Sequence, residues 1–160
     1  MTFKQFLEDW DMTELELDIK FLKMKWAPQT ADQNAAWELY VELLTRITTQ
    51  ALPTEHGDEK SALDSIHSLF STTREIIKKH GKDCINFSKI AIPVLNQIVR
   101  PFTAKWHRAA LADTFKMSAR CQEFREDLSS VQGKLTKYAR LLAGIARVED
   151  ITSLEAKDVS

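Results

Sequence analysis

The sequence predicts a mainly α fold: a bundle of four or five helices preceded by one extended N-terminal β-strand over residues 14–26. Three observations predict it. Residues 121–145 carry apolar side chains in an unbroken 3-4-3-4 spacing. Four glycines and four prolines in 160 residues suit long helices joined by short connections. The stretch Glu14–Trp26, E-L-E-L-D-I-K-F-L-K-M-K-W, alternates charged and apolar side chains with the two-residue period of a strand.

In chain order, Phe3, Phe6, Leu7 and Trp10 open with the spacing of a short amphipathic helix. The alternating stretch follows. As a helix it would have Thr13 and Glu16 as a capping box, but Leu17, Phe21 and Met24 would form a second apolar face. As a strand it has one face, Leu15, Leu17, Ile19 and Phe21, with a phase change at Phe21–Leu22 that a bulge accommodates and that leaves Met24 and Trp26 in register beyond it. Asp32 is placed to cap a helix carrying Ala36, Trp37, Tyr40, Leu43, Leu44 and Ile47. Pro53–Glu59 reads as a polar loop, and Leu63, Ile66, Leu69, Phe70, Ile76 and Ile77 as one helix stopped by Gly81. Asp83 is placed to cap the next region, where Pro93 and Pro101 each delete a helical hydrogen bond, so a kink or break is expected at one or both, or a fresh helix at Pro101.

In the last long helix, Cys121, Phe124, Leu128, Val131, Leu135, Tyr138, Leu142 and Ile145 form the seam. Its flanks turn apolar at Ala139, Leu141 and Ala146, which suits the core of a bundle within one chain better than a two-stranded coiled coil. Residues 1–150 are expected to form a single domain and residues 151–160 a mobile tail.

A lone strand leaves its backbone donors and acceptors unpaired, so the alternating stretch implies a partner strand, supplied by another chain if this one has none. In an antiparallel pairing of two copies, Glu14 and Glu16 lie opposite Lys25 and Lys23. The expected function is therefore a non-catalytic protein-interaction and assembly module, a homodimer joined through Leu15, Leu17, Ile19, Phe21, Met24 and Trp26. On this expectation Ile19→Pro removes a ladder donor and abolishes association.

Charge distribution supplies a second reading. Net charge is only −1, yet residues 1–20 carry six acids against two lysines, and residues 100–120 carry five Lys and Arg against Asp113 alone. Arg100, Lys105, Trp106, His107, Arg108 and Lys116 are the candidate contacts to nucleic acid or to an acidic partner. The stretch IPVLNQIVRPFTAKWH, residues 92–107, together with AAWELYVELLTR, residues 35–46, resembles the layout of small bacterial proteins, a resemblance that assigns no activity and no residue role. The alternative function is thus a small helical subunit of a bacterial nucleoprotein or phage-defence complex, using the basic segment.

Nothing points to catalysis or to a cofactor. His80 and Cys84 are four apart but lack the paired spacing of a metal site, and the phosphate-binding glycine motifs are absent. Two cysteines make no disulfide framework, no stretch reaches membrane-spanning length, and the N-terminus has no signal-peptide core, so a cytoplasmic, non-membrane protein is expected.

Overall fold

The computed structural model describes residues 1–46, 48–52 and 58–154; Ile47, most of the Pro53–Glu59 loop and residues 155–160 of the expected tail lie outside the described residues. The fold is mainly α, as the periodicity predicts, and no strand occurs among the described residues.

Helix α1 (Phe3–Asp9) is closed at its start by a reciprocal capping box, in which Gln5 N donates to Thr2 Oγ1 at 3.2 Å and Thr2 N donates to Gln5 Oε1 at 2.8 Å. Asp11 in a left-handed conformation turns the chain back, and Met12 N donates to Leu7 O at 2.9 Å. The alternating stretch then departs from expectation. Residues 13–18 are irregular, Ile19–Leu22 form a single helical turn, α2, and Asp18 caps it by accepting from Lys20 N at 2.8 Å.

The expected strand over residues 14–26 is therefore corrected to one isolated antiparallel bridge between Thr2 and Lys25. Phe3 N donates to Met24 O at 3.0 Å and Trp26 N to Met1 O at 2.9 Å, so the backbone that needed a partner takes it from its own N-terminus. Ring packing decides the register. Trp26 stacks on Phe6 with centroids 4.1 Å apart, and Phe3 meets Trp26 edge-on at 4.8 Å.

Helix α3 (Thr30–Leu44) is central to the bundle and makes its most extensive packing against α8 (Ser118–Ala146). The seam of α8 is buried from Phe124 to Ile145, with Cys121 half-buried, and it faces the core of its own chain. Between them run α4 (Glu59–His67), α5 (Leu69–His80), α6 (Ile85–Val94) and α7 (Arg100–Leu111). The single helix expected over 63–77 is two, α4 and α5, divided at Ser68, and α5 ends at Gly81 with φ 71°, a backbone state that favours glycine.

The helix cap at α6 is also corrected. Asp83 makes no cap; Asp32, fully buried on α3, accepts from Phe87 N at 2.8 Å and from Asn86 Nδ2 at 3.0 Å, while still bonding Gln29 N at 2.7 Å. One carboxylate thus serves the first turns of two helices.

Neither proline breaks the chain. A π-helical turn, Leu95–Val99, lies between Pro93 and Pro101, and Arg100 N donates to Leu95 O across it. Its wider turn joins α6 to α7 without an interruption, and Pro101 falls in the first turn of α7. Of the expected mobile tail, residues 152–154 form a short 3₁₀ turn held to α3: Ile151 N donates to Tyr40 Oη at 2.8 Å and Tyr40 Oη to Asp150 at 3.1 Å.

Candidate interaction surface

The six residues expected at a dimer interface do not share one face. Leu15 is buried in the chain's own core, and Leu17, Phe21 and Trp26 pack half-buried against it. Ile19 and Met24 point outward, 67% and 47% exposed. The helical turn α2 rotates Ile19 away from its neighbours, which a two-residue period does not anticipate. Phe21 is engaged internally, edge-on to Phe3 at 5.3 Å and beneath Lys89 Nζ at 4.5 Å.

The irregular segment before α2 is pinned by one side chain. Gln97, on the π-turn, accepts from Glu16 N and donates to Glu16 O, both at 2.8 Å. The primary amide reproduces the donor–acceptor pair that a neighbouring strand would have offered. Extended backbone at Glu16 is satisfied without a second chain.

The basic segment is divided in a similar way. Lys105 binds Asp127 at 2.7 Å and Glu123 at 3.0 Å on α8, and those hydrogen bonds hold its ammonium above the ordinary lysine range. Trp106 is fully buried, its Nε1 donating to Asp127 at 3.0 Å and its ring lying edge-on to Phe124 at 5.2 Å. A buried ring offers no stacking face to a base. Lys116 sits 3.8 Å from Asp113, and Arg120 pairs with Glu123. Three of the five positive charges are thus answered by carboxylates, two of them by those of α8.

Arg100 and His107 remain at the surface. Arg100 is held by two hydrogen bonds to Asn96 Oδ1, both 3.1 Å, and lies over the Phe70 ring at 4.6 Å. His107 meets His67 of α4 edge-on at 4.7 Å, with Asp64 at 3.8 Å from its Nε2. Together with Arg74 of α5 they line a cleft of about 320 Å³ between α4, α5 and α7. Arg108, also exposed, has no carboxylate partner among the described residues.

The outer face of α6 is the feature that sequence reasoning missed. Ile85 and Ile92, two helical turns apart, are 50% and 47% exposed. Ile92 lines two grooves, one of about 350 Å³ shared with Leu17 and Phe21, the other of about 310 Å³ shared with Phe70, Ile77 and Leu95. Glu16 and Asp18 border the first, Arg74 and Lys78 the second. The signal lay in the run INFSKIAIPVLNQIV, residues 85–99, which is apolar on more than one side, while a helix with a single buried stripe has a polar back.

Catalytic features are sparse. Among the described residues, no group of three or more His, Cys, Asp or Glu is placed to hold a metal ion. Cys84 is buried and directs its Sγ at Gly81 O, 3.2 Å away. Burial, and after it the charge of Glu59, pushes the Cys121 thiol up, which lowers its thiolate fraction. No helix of the described residues is long and apolar enough to cross a membrane. Comparison with protein-family models, with curated proteins and with solved structures finds no match. The described residues define the class: an all-helical fold with an apolar, charge-bordered surface along α6 and an adjoining cationic cleft.

Proposed function

We propose that the protein is a non-catalytic interaction and assembly module, a homodimer joined through the outer face of α6 rather than through residues 14–26. The observation that carries this reading is the self-complementarity of that face. Ile85 and Ile92 form an apolar ridge with a net acidic margin on one side, where Glu16 and Asp18 outnumber Lys89, and a basic margin, Arg74 and Lys78, on the other. A second copy related by a two-fold axis along the ridge sets the acidic margin of each protomer over the basic margin of the other, and the two ridges cover each other. The cationic side is available for this: neither Arg74 nor Lys78 has a carboxylate partner among the described residues. The free thiols of Cys84 and Cys121 accord with a reducing cytoplasm as the site of action.

Light scattering after size exclusion, over a range of concentrations, tests the reading. The wild-type chain is expected at twice the monomer mass and Ile92→Lys at the monomer mass, with helical circular dichroism unchanged because Ile92 is exposed. A monomeric wild type, or a dimer indifferent to both Ile92→Lys and Ile85→Lys, overturns it.

The second reading is a subunit of a bacterial nucleoprotein or phage-defence complex, now resting on Arg74, Arg100 and Arg108, which are not committed to carboxylates among the described residues. Its signature is oligonucleotide binding that weakens steeply as salt rises. No binding at low salt removes it.

A further inference from the structure

The cleft between α4, α5 and α7 presents cationic and imidazole groups from three helices toward a common space. His67 comes from α4, Arg74 from α5, and Arg100 and His107 from α7. From these we infer that the cleft is a phosphoryl-binding site, which goes beyond the dimer reading and competes with it for Arg74, the residue the two share.

Preorganisation is the first argument. Arg100 uses Nε and one Nη to hold Asn96 Oδ1, both at 3.1 Å, and stacks its guanidinium over Phe70 at 4.6 Å. The side chain is thereby oriented in advance, and the other N–H groups of its fork have no protein acceptor among the described residues. Arg74 has no carboxylate within ion-pair reach among the described residues. The two imidazoles stand edge-on to each other at 4.7 Å, so each fixes the other's plane.

Charge balance is the second. Among the described residues the carboxylate within ion-pair reach of a cleft side chain is Asp64, 3.8 Å from His107 and itself 3.4 Å from Lys60. Two guanidinium groups are therefore set against a single carboxylate that already has a lysine. An anion entering between them recovers the missing counter-charge.

The chemistry of the donors selects among anions. Two planar forks match the geometry of a tetrahedral phosphoryl group with three acceptor oxygens, and arginine is the residue best suited to such bidentate recognition. The volume, about 320 Å³, is at the lower end of ligand sites, which begin near ~300 Å³. It admits a phosphoryl group with a small organic substituent.

Isothermal titration with inorganic phosphate, O-phosphoserine and unphosphorylated serine tests this. Both phosphates are expected to bind saturably and serine not at all; whichever phosphate is tighter distinguishes free phosphate from a phosphomonoester as the source of the group. Arg74→Gln and Arg100→Gln should each weaken binding by about tenfold or more, the loss of one charge-assisted contact, and Lys82→Gln, at an exposed position outside the cleft, should leave it unchanged. Arg74 is exposed, so its variant keeps the fold, and a melting curve alongside verifies that. Light scattering on the same samples reports association separately, because Arg74 also borders the α5 groove. Failure of both phosphates to bind, or undiminished binding by Arg74→Gln, overturns the assignment.

Discussion

The indole of Trp10 lies over Gly144: a Cβ on residue 144 would stand 2.3 Å from Trp10 Cζ2 and 2.6 Å from Cε2. The absence of a side chain in the last turn of α8 is what lets the N-terminal segment dock on it. Trp10 is half-buried there, with Phe6 against its other side at 6.5 Å.

Gly144→Ala sets two effects against each other. Alanine favours the helix by about 1 kcal/mol, whereas forcing a methyl group into occupied space costs roughly 1–3 kcal/mol. The clash is with a large, half-buried ring that has Phe6 at 6.5 Å, so a net loss is expected, read as a lower melting midpoint and a change in the Trp10 fluorescence environment. An increase in stability would mean that the ring moves aside freely.

Asp32 should be among the least replaceable polar residues. Asp32→Ala strands the buried Phe87 N, removes the acceptor of Gln29 N and one of the two acceptors of Asn86 Nδ2, which keeps Ala27 O at 3.1 Å, and opens a void at a fully buried position. Leaving a buried donor unsatisfied costs about 1–3 kcal/mol, so with the two part-buried bonds lost beside it a loss of roughly 2 kcal/mol or more is expected in chemical denaturation. Asp83→Ala, at an exposed position with no helix to cap, should change stability by less than about 0.5 kcal/mol.

Gln97→Ala removes both hydrogen bonds to Glu16 and leaves the helices in place. At about 1 kcal/mol net per hydrogen bond, the Glu16 amide should exchange with solvent roughly tenfold faster or more. Exchange that stays slow at Glu16 would show that Leu15 alone anchors the segment.

Ile19→Pro separates the strand expectation from the fold. Ile19 is the first residue of α2 and is exposed, a position where proline is favoured. The substitution should be tolerated, with circular dichroism and molecular mass both unchanged. Loss of association in this variant alone would restore a ladder role for residues 14–26.

Acid should release the C-terminal turn before it unfolds the bundle. Burial pushes the Asp150 carboxyl up, but hydrogen bonds from Thr152 and Tyr40, with the charge of Arg140, outweigh it and hold the group below the ordinary aspartate range. A carboxyl depressed on folding contributes its stabilisation fully above the unfolded value and loses it as pH falls through the folded value. The Ile151 and Thr152 amides should therefore lose protection from exchange below the ordinary aspartate range, while those of α3 and α8 stay protected. Asp150→Asn should remove most of that pH dependence.

The sequence by itself determined the helical class and much of the core. Periodicity along α8 is a property of one segment, and the side chains it selects, Phe124 to Ile145, are the ones buried. Gly81 as a helix stop was legible for the same reason: a positive φ is a local demand. Tertiary structure decided wherever a polar group found its partner far along the chain. Glu16 is answered by Gln97, the start of α6 by Asp32, and Lys105 with Trp106 by Asp127. Each of these residues has an ordinary local reading, as strand, helix cap or basic patch, and each is redirected by a group from another helix. The candidate surface was hidden for the converse reason. Apolar Ile85 and Ile92 look like core in a sequence, and only the packing of α6 on α3, with a groove on either side of its outer face, shows that part of its apolar girth is left uncovered. Composition sets how much apolar surface a helix carries, but the number of neighbours that can reach it is a matter of three-dimensional geometry.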